Sequence, residues 1–387
     1  MQHFATLSDT VKARLFHTLP ETLHHDTDPS LLAVALGATL YCPATRANLA
    51  EDVRRQADAG CVSMVICLED AVPDESLMAA EQNLLSALDS LAEHPAGLPM
   101  LFIRCRTPQQ LLSIGRRAGT TLGVIYGFVL PKFENETGTA RGFLEAVQQL
   151  NNTSDRTAPL RVMPIFEHTT TTHLETRARV LTDNLALINE FRDLVLCLRI
   201  GATDMSSAFG LRRSRDLTIY NVKVVANVIG DIVNIFGRPE EGWIITGPVW
   251  EHFPHKDRIL RPQLRSSPFE AIDEIELRQR LITDNLDGLI REIELDHANG
   301  LFGKTVIHPT HVAVVHAMSV VSHEEYLDAT DIVHGSQGGA TASAYGNKMN
   351  ESKPHRAWAE RTLLRAKAFG VANEGVTYVD VLEASTP

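Results

Sequence analysis

The stretch Cys61-Val62-Ser63-Met64-Val65-Ile66-Cys67-Leu68 is apolar almost throughout and runs straight into Glu69-Asp70. Such a run, without polar alternation, is the pattern of a parallel strand buried on both faces. Ending it in acids is costly unless they meet a cation or a metal. The pattern recurs: Met100–Cys105 carries Arg104, Tyr126–Leu130 leads to Lys132, Arg161–Phe166 to Glu167 and Leu194–Ile200 to Asp204. From Glu69 to Asp204 these polar residues step by 35, 28, 35 and 37, close to one strand-plus-helix unit of about 30 residues.

Working outward, Ala38–Cys42 on one side and Trp243–Thr246 and Thr305–Ile307 on the other bring the strand candidates to eight. Between them lie helix-period stretches at Leu49–Asp58, Leu77–Ala92, Pro108–Arg117, Ala140–Leu150, Leu174–Phe191, Ile219–Phe236, Pro268–Asn299 and Thr310–Val320. Gly60, Gly300 and Gly370 follow helical runs in the manner of left-handed C-caps. The alternation predicts an α/β fold, a (β/α)8 TIM barrel. No G-x-G-x-x-G follows the first strand, which disfavours an open dinucleotide-binding sheet. Residues 1–36 read as a helical lead-in, 37–334 as the catalytic barrel, and 335–387 as a linker and helical arm built on Ala357–Phe369. The stretch Gly247–Arg265 is rich in Pro, His and aromatic residues and predicts a long loop after strand seven, on the catalytic side.

Among 387 residues, 36 are basic and 48 acidic, a net charge of −12. That surface repels phosphate backbones and anionic lipid, so neither nucleic acid nor a membrane is expected as a partner. Cys42, Cys61, Cys67, Cys105 and Cys197 sit in apolar runs with no C-x-x-C pair, as reduced core residues of a cytoplasmic protein do. Met1-Gln2-His3-Phe4 does not open a basic-then-apolar leader, so no secretion signal is expected. Leu31–Ala44, the most apolar early stretch, is too short to span a bilayer.

In such a barrel the strand C-terminal ends open on one face and gather catalytic groups. Glu167 and Asp204, on adjacent strands, form the predicted metal pair. Two carboxylates plus water suit Mg2+, with Mn2+ as the alternative ion. The competing reading is that each acid caps the following helix or pairs with an arginine. Arg104 offers a rigid fork for carboxylate or enolate oxygens, or a structural bridge to Glu69 or Asp70. Lys132 is either a site cation or a solvated charge. The run Gly201-Ala202-Thr203-Asp204-Met205 opens a short helix whose N–H groups favour an anion. No H-E-x-x-H, zinc spacing or Gly-x-Ser-x-Gly occurs, and His168, His252 and His255 read as loop residues near the open face.

Taken in order, Leu68-Glu69-Asp70-Ala71-Val72-Pro73, Ile103-Arg104, Leu130-Pro131-Lys132, Pro164-Ile165-Phe166-Glu167, Gly201-Ala202-Thr203-Asp204-Met205 and Gly303-Lys304-Thr305-Val306-Ile307-His308-Pro309 resemble the citrate lyase β-subunit-like proteins of the HpcH/HpaI aldolase family. The resemblance runs from about Tyr41 to Ala366. Gly346-Asn347-Lys348-Met349-Asn350 looks closest to a longer branch, the TIM-barrel C–C bond lyases associated with tellurium-resistance gene clusters. It implies a Mg2+-dependent carbon–carbon lyase of the oxo-acid-lyase kind. Such an enzyme cleaves a small hydroxy acid or its CoA thioester by a retro-aldol or retro-Claisen step, as citryl-CoA lyase does. Glu167 and Asp204 match the family's metal ligands, Arg104 the substrate and enolate arginine, and Glu69 and Asp70 the acids that orient it. Gly201, Ala202 and Thr203 match a carboxylate-binding turn, and Lys132 falls in a matching motif.

The departures are specific. Arg106 stands where the family has Asn, Ser76–Glu81 lacks its Lys and Ala-Arg pair, and His311 replaces Gln. Asn350 and Glu351 occupy the neighbourhood of an aspartate that the family delivers to an adjacent subunit. CoA use and the acid/base therefore stay open. The likeness implies a homo-oligomer, a trimer or a multiple of it, with the arm packed on a neighbour and Glu351 as acid/base. The alternatives are a class II pyruvate aldolase of the HpaI type, which carries a histidine base where this chain has Glu69-Asp70-Ala71, and a non-catalytic metabolite-binding barrel.

Overall fold

Eight parallel strands build one sheet: β1 (Ala38–Pro43), β2 (Ser63–Cys67), β3 (Met100–Arg104), β4 (Ile125–Leu130), β5 (Arg161–Phe166), β6 (Leu198–Ile200), β7 (Ile245–Thr246) and β8 (Lys304–Val306). Their order is β7-β6-β5-β4-β3-β2-β1-β8. The ring closes just past β7, where Gly247 bridges Lys304, donates to Gly303 O at 3.1 Å and accepts from Thr305 N at 3.1 Å. This is the (β/α)8 TIM barrel that the alternation predicts, seen in a computed structural model. The structure describes residues 1–154, 156, 158–253, 286–335 and 339–386.

The unbroken apolar runs are explained by burial on two sides. Met64, Ile66, Leu101 and Ile103 pack outward among the helices, while Val65, Phe102, Tyr126 and Val129 belong to a second cluster inside the barrel. Each such side chain contributes about 1.5–3 kcal/mol on leaving water. The helices that follow the strands are α1 (Leu49–Asp58), α2 (Leu77–Glu93), α3 (Pro108–Ala118), α4 (Thr139–Thr153), α5 (Leu174–Glu190), α6 (Lys223–Phe236), α7 (Asp287–Ala298) and α8 (Thr310–Ser319). The expected α7 start at Pro268 and the loop beyond Phe253, including His255, lie outside the described residues. Gly60, Gly300 and Gly370 all take positive φ at helix ends. All five cysteines are buried and free. No described helix is long and apolar enough to cross a membrane.

Three expectations are corrected. Leu194–Ile200 is not one strand, because Arg192–Leu194 forms a 3-10 turn and β6 begins only at Leu198. Ile219–Phe236 likewise splits, with a capped 3-10 turn at Ile219–Asn221 before α6. Both turns bury apolar residues, so periodicity could not separate them from the elements they precede. The third concerns the arm. Its helix α10 (Arg356–Phe369) packs on its own chain, against α9 (His323–His334) and the helix Pro29–Ala35. The contact face is Ala359, Thr362 and Ala366 with Phe369, whereas Trp358 stays 41% exposed. Small residues let the helices approach, and Leu363 and Leu364 pack partly buried beside that face. Phe369 also packs on His3, with ring centroids 4.3 Å apart and the rings tilted by 31°. The stretch before α10 is not wholly irregular either: Ala340–Ala342 and Met349–Glu351 pair as a short antiparallel hairpin.

The lead-in has a structural task. Asp28 caps the helix Pro29–Ala35 by accepting from Ser30 N at 2.9 Å. Its Leu31, Leu32 and Val34 join the interior cluster and plug the barrel's N-terminal end. With that end plugged, the chemistry is left to the opposite mouth.

Candidate active site

Arg104, the last residue of β3, is 7% exposed and stands at the centre of the open mouth. Its Nη2 lies 2.8 Å from Glu69 Oε2, 2.9 Å from Glu167 Oε1 and 3.2 Å from Asp70 Oδ2. The acids come from both sides of Arg104, since β2 pairs with β3 directly and β5 follows across β4. Arg106 shapes the loop that carries Glu69 and Asp70: its Nε donates to Leu68 O at 2.8 Å, and its guanidinium also holds Val72 O and the Asp74 carboxylate. The residue that departs from the family pattern is thus a clamp on the site's acidic loop.

Lys132 is no solvated charge. Its N–H donates to Glu167 Oε1 at 2.9 Å. Its ammonium pairs with Glu69, lies 3.2 Å from Asp70 Oδ1 and 4.0 Å from Asp204 Oδ1. The backbone pays for this placement with φ of +47°, one of two positive values among described non-glycine residues. A left-handed conformation costs an ordinary residue about 1–2 kcal/mol, and the four carboxylates around Lys132 hold it there.

Burial pushes the Glu167 carboxyl up to about 7, and Asp204 pushes the same way, while Arg104 and Lys132 oppose them. Burial and the Asp70 hydrogen bond raise Glu69 as well. Burial also works against ionisation of Asp70, yet Glu69, Arg104 and Lys132 outweigh it and hold that carboxyl below its ordinary value. Lys132 is held charged: burial opposes it, but Glu69 and Asp70 prevail. Four carboxylates thus face two cations, and the negative excess suits a divalent ion.

The donor set fits Mg2+. Glu167 Oε1 already serves Arg104 and Lys132, leaving Oε2. A Cβ at Gly201 would lie only 2.1 Å from that Oε2, so the glycine keeps space open beside it. Among the described residues no three His, Cys, Asp or Glu side chains gather as a metal cage. A carboxylate pair completed by water is the set that Mg2+ accepts.

Asp204 lies in the first turn of the helix Ala202–Ser207, which starts one residue after Gly201. First-turn N–H groups have no partner within a helix, so those of Ala202 and Thr203 are free of intrahelical bonds. Thr203 Oγ1 donates to Glu251 Oε1 at 2.8 Å. His168 is a cap, accepting at Nδ1 from Thr170 N at 3.3 Å, and His252 packs edge-on against Trp250 at 5.3 Å. Glu351 is not brought to this mouth: its hairpin leans on α9, and its N–H donates to His355 Nδ1 at 3.1 Å.

Three residues escaped the sequence reading. Glu251 sits on the loop past β7 and touches both Thr203 and Arg213. Burial raises the Tyr41 hydroxyl of β1, against the fields of Arg199 and Arg104. Arg199 of β6 is 1% exposed inside the barrel, donating to Thr305 Oγ1 at 2.6 Å and Thr39 Oγ1 at 3.2 Å. Its signal was available: a lone arginine in Leu196-Cys197-Leu198-Arg199-Ile200.

A family model described as C–C bond lyase of the TIM-barrel fold matches residues 30–371. No curated protein matches. Among solved structures, protein CitE from Mycobacterium tuberculosis, in complex with magnesium, acetoacetate and coenzyme A, is 21% identical with a TM-score of 0.50; the match covers 86% of this chain and 99% of that one. A citrate lyase from Burkholderia xenovorans LB400 is 16% identical with a TM-score of 0.62, covering 90% of this chain and 96% of that one. At these identities the likeness is one of fold.

Proposed function

The chain belongs to the TIM-barrel C–C bond lyase family and is a carbon–carbon lyase; from that premise we propose a Mg2+-dependent retro-aldol or retro-Claisen enzyme acting on a small hydroxy acid or its CoA thioester. One observation carries the proposal: Arg104, Lys132, Glu167 and Asp204 converge at the strand C-terminal mouth with carboxylates in excess. Magnesium in the CitE structure supports the choice of ion.

Glu167 and Asp204 would hold Mg2+, which when bound supplies Lewis-acid stabilisation of negative charge on oxygen. Arg104 is fixed through Nη2 by three acids, so its remaining N–H groups are pre-aimed for a substrate carboxylate or the enolate left by bond cleavage. Its buried Nε has no partner among the described residues. Lys132, held protonated, acts as a fixed positive charge and not as a base. The N–H groups of Ala202 and Thr203 bind a second carboxylate oxygen. Cleavage breaks one C–C bond, forms a carbonyl from the hydroxyl and sends the hydroxyl proton to a base. Glu69-Asp70-Ala71 stands where the HpaI-type aldolase carries its histidine base, and Glu69 and Asp70 are themselves engaged with Arg104 and Lys132. This disfavours the HpaI-type aldolase, and we assign the base to Glu351 of an adjacent copy in a homo-oligomer.

The test is incubation with candidate hydroxy acids, with and without CoA, followed by detection of pyruvate, acetate or acetyl-CoA. Release that requires Mg2+ and disappears in Asp204→Asn supports the assignment. Release that is indifferent to EDTA refutes it.

A further inference from the structure

The barrel's opposite end holds a cavity of about 570 Å3. It is bounded by the starts of β5 and β7, by the helix Pro29–Ala35 and by α10. Three arginines line it: Arg161, Arg192 and Arg361. The chain as a whole is strongly acidic, whereas here the three arginines outnumber the two lining acids, Asp193 and Glu360. The hydrogen bonds of these guanidinium groups go to neutral acceptors. Arg161 Nη1 donates to Asp193 O at 2.7 Å, Arg192 to Asn189 Oδ1 and Glu241 O at 3.0 Å each, and Arg361 Nη2 to Gly237 O at 2.6 Å. Neutral acceptors fix the orientation of a guanidinium without cancelling its charge. Burial alone draws the Arg361 guanidinium below its ordinary range, with no carboxylate opposing it. Glu360, the acid nearest to it in sequence, is engaged by Arg356 at 2.9 Å.

A second observation concerns an aromatic ring. Trp243 lines the cavity and is 8% exposed. Arg192 lies over the indole at 4.5 Å, so the ring also steadies one of the three cations.

We propose that this cavity is a second ligand site, distinct from the catalytic mouth, for a small polyanion with two or more phosphate or carboxylate groups. Arg161, Arg192 and Arg361 bind the anionic groups. Because Arg361 belongs to α10 while Arg161 and Arg192 belong to the barrel base, an occupant ties the last helix to the barrel. Arginine forks suit both oxyanion types, so the two sources need separate arms.

The experiment uses the full chain in EDTA, titrated with sodium pyrophosphate in one arm and tricarballylate in the other, read by calorimetry and thermal melting. Saturable binding with a rise in Tm is expected in at least one arm; pyrophosphate alone marks a phosphate ligand, tricarballylate alone a carboxylate one. Arg361→Gln and Arg192→Gln should each weaken it about tenfold or more, whereas Arg104→Gln at the catalytic mouth should not. Arg192 is exposed, so its variant remains informative should Arg361→Gln fold poorly. No saturable binding to wild type below about 10 mM, undiminished binding in Arg192→Gln, or loss in Arg104→Gln would each overturn the proposal.

Discussion

Replacing Glu167 by glutamine separates stability from function at the mouth. Burial lifts the carboxyl from 4.5 to about 7, and each pH unit corresponds to about 1.4 kcal/mol. The folded state therefore holds this proton more tightly than the unfolded one, and stability falls as pH rises from 4.5 to about 7. At pH 8 the ionised carboxylate costs about 3 kcal/mol, which an uncharged isostere does not. Against that, the amide N–H2 enters a site whose neighbours are Arg104 and Lys132 donors, and an unmet donor costs about 1–3 kcal/mol. The metal-free variant is thus expected to match wild type or exceed it by up to about 2 kcal/mol, a Tm change of a few degrees at most. Mg2+ tells the other half. At a hundred times its Kd the ion stabilises wild type by about 2.7 kcal/mol, and Glu167→Gln should lose all of that increment. Paired melts in EDTA and in Mg2+ read both quantities. Equal Mg2+ increments in the two proteins would remove Glu167 from the metal site. A metal-free variant weakened by more than about 3 kcal/mol would instead show that the carboxylate serves as structural partner to Arg104.

Gly201→Ala places a methyl 2.1 Å from Glu167 Oε2, so calorimetry should show Mg2+ affinity falling at least about tenfold while far-UV circular dichroism is unchanged. Arg104→Lys keeps the charge but loses the fork that leaves N–H groups free beyond Nη2; kcat/KM should drop about a hundredfold or more with Tm changing far less, and the reverse pattern makes the arginine structural. His3 is held neutral by burial, its value pushed down to about 4, and His316 is lowered similarly. Unfolded histidines take up protons below 6.5, so stability is complete above that pH and lost from 6.5 toward about 4; His3→Gln should flatten the fall of Tm across this window. Mixing Arg104→Ala with Glu351→Gln chains should restore activity if neighbouring copies share a site, and no restoration after proven subunit exchange removes Glu351.

Strand runs such as Met100–Arg104 and Arg161–Phe166 were legible because burial on both faces leaves no choice of residue type. Helices α1 and α3 were legible through their amphipathic period, and at α3 Thr107 adds a cap by accepting from Gln110 N at 3.1 Å. What failed was local geometry with no periodic signal: the 3-10 turns before β6 and α6, and the hairpin of residues 340–351. At the site, the acids and Arg104 announced themselves by interrupting apolar runs. Lys132 was a candidate in the same pattern, but its role was not legible, because it depends on a positive φ that lets the N–H and ammonium of one residue serve different acids. Glu251 was equally invisible, since its partner Thr203 is distant in sequence and only the pairing of β6 with β7 brings their loops together.

The arm allows a further step of reasoning. Because α10 buries its small-residue face on α9 and on the barrel plug, its own chain shelters that helix, and only Trp358 of its large apolar residues is left exposed. The hairpin before it is tied to α9 at several points, with Asn347 and Lys348 on Glu324 at 3.0 and 2.9 Å among them. Asp328 of α9, itself fully buried, accepts from Asn350 Nδ2 at 2.8 Å and pairs with Lys348 at 2.6 Å. Asn350 is buried where the family pattern leads into an aspartate, while Glu351, next in the chain, is only half-buried. The strand alternation therefore turns Asn350 inward onto Asp328 and Glu351 away from it. Of the two residues in the family aspartate's neighbourhood, only Glu351 has both the carboxyl and the outward orientation that donation to a neighbour requires.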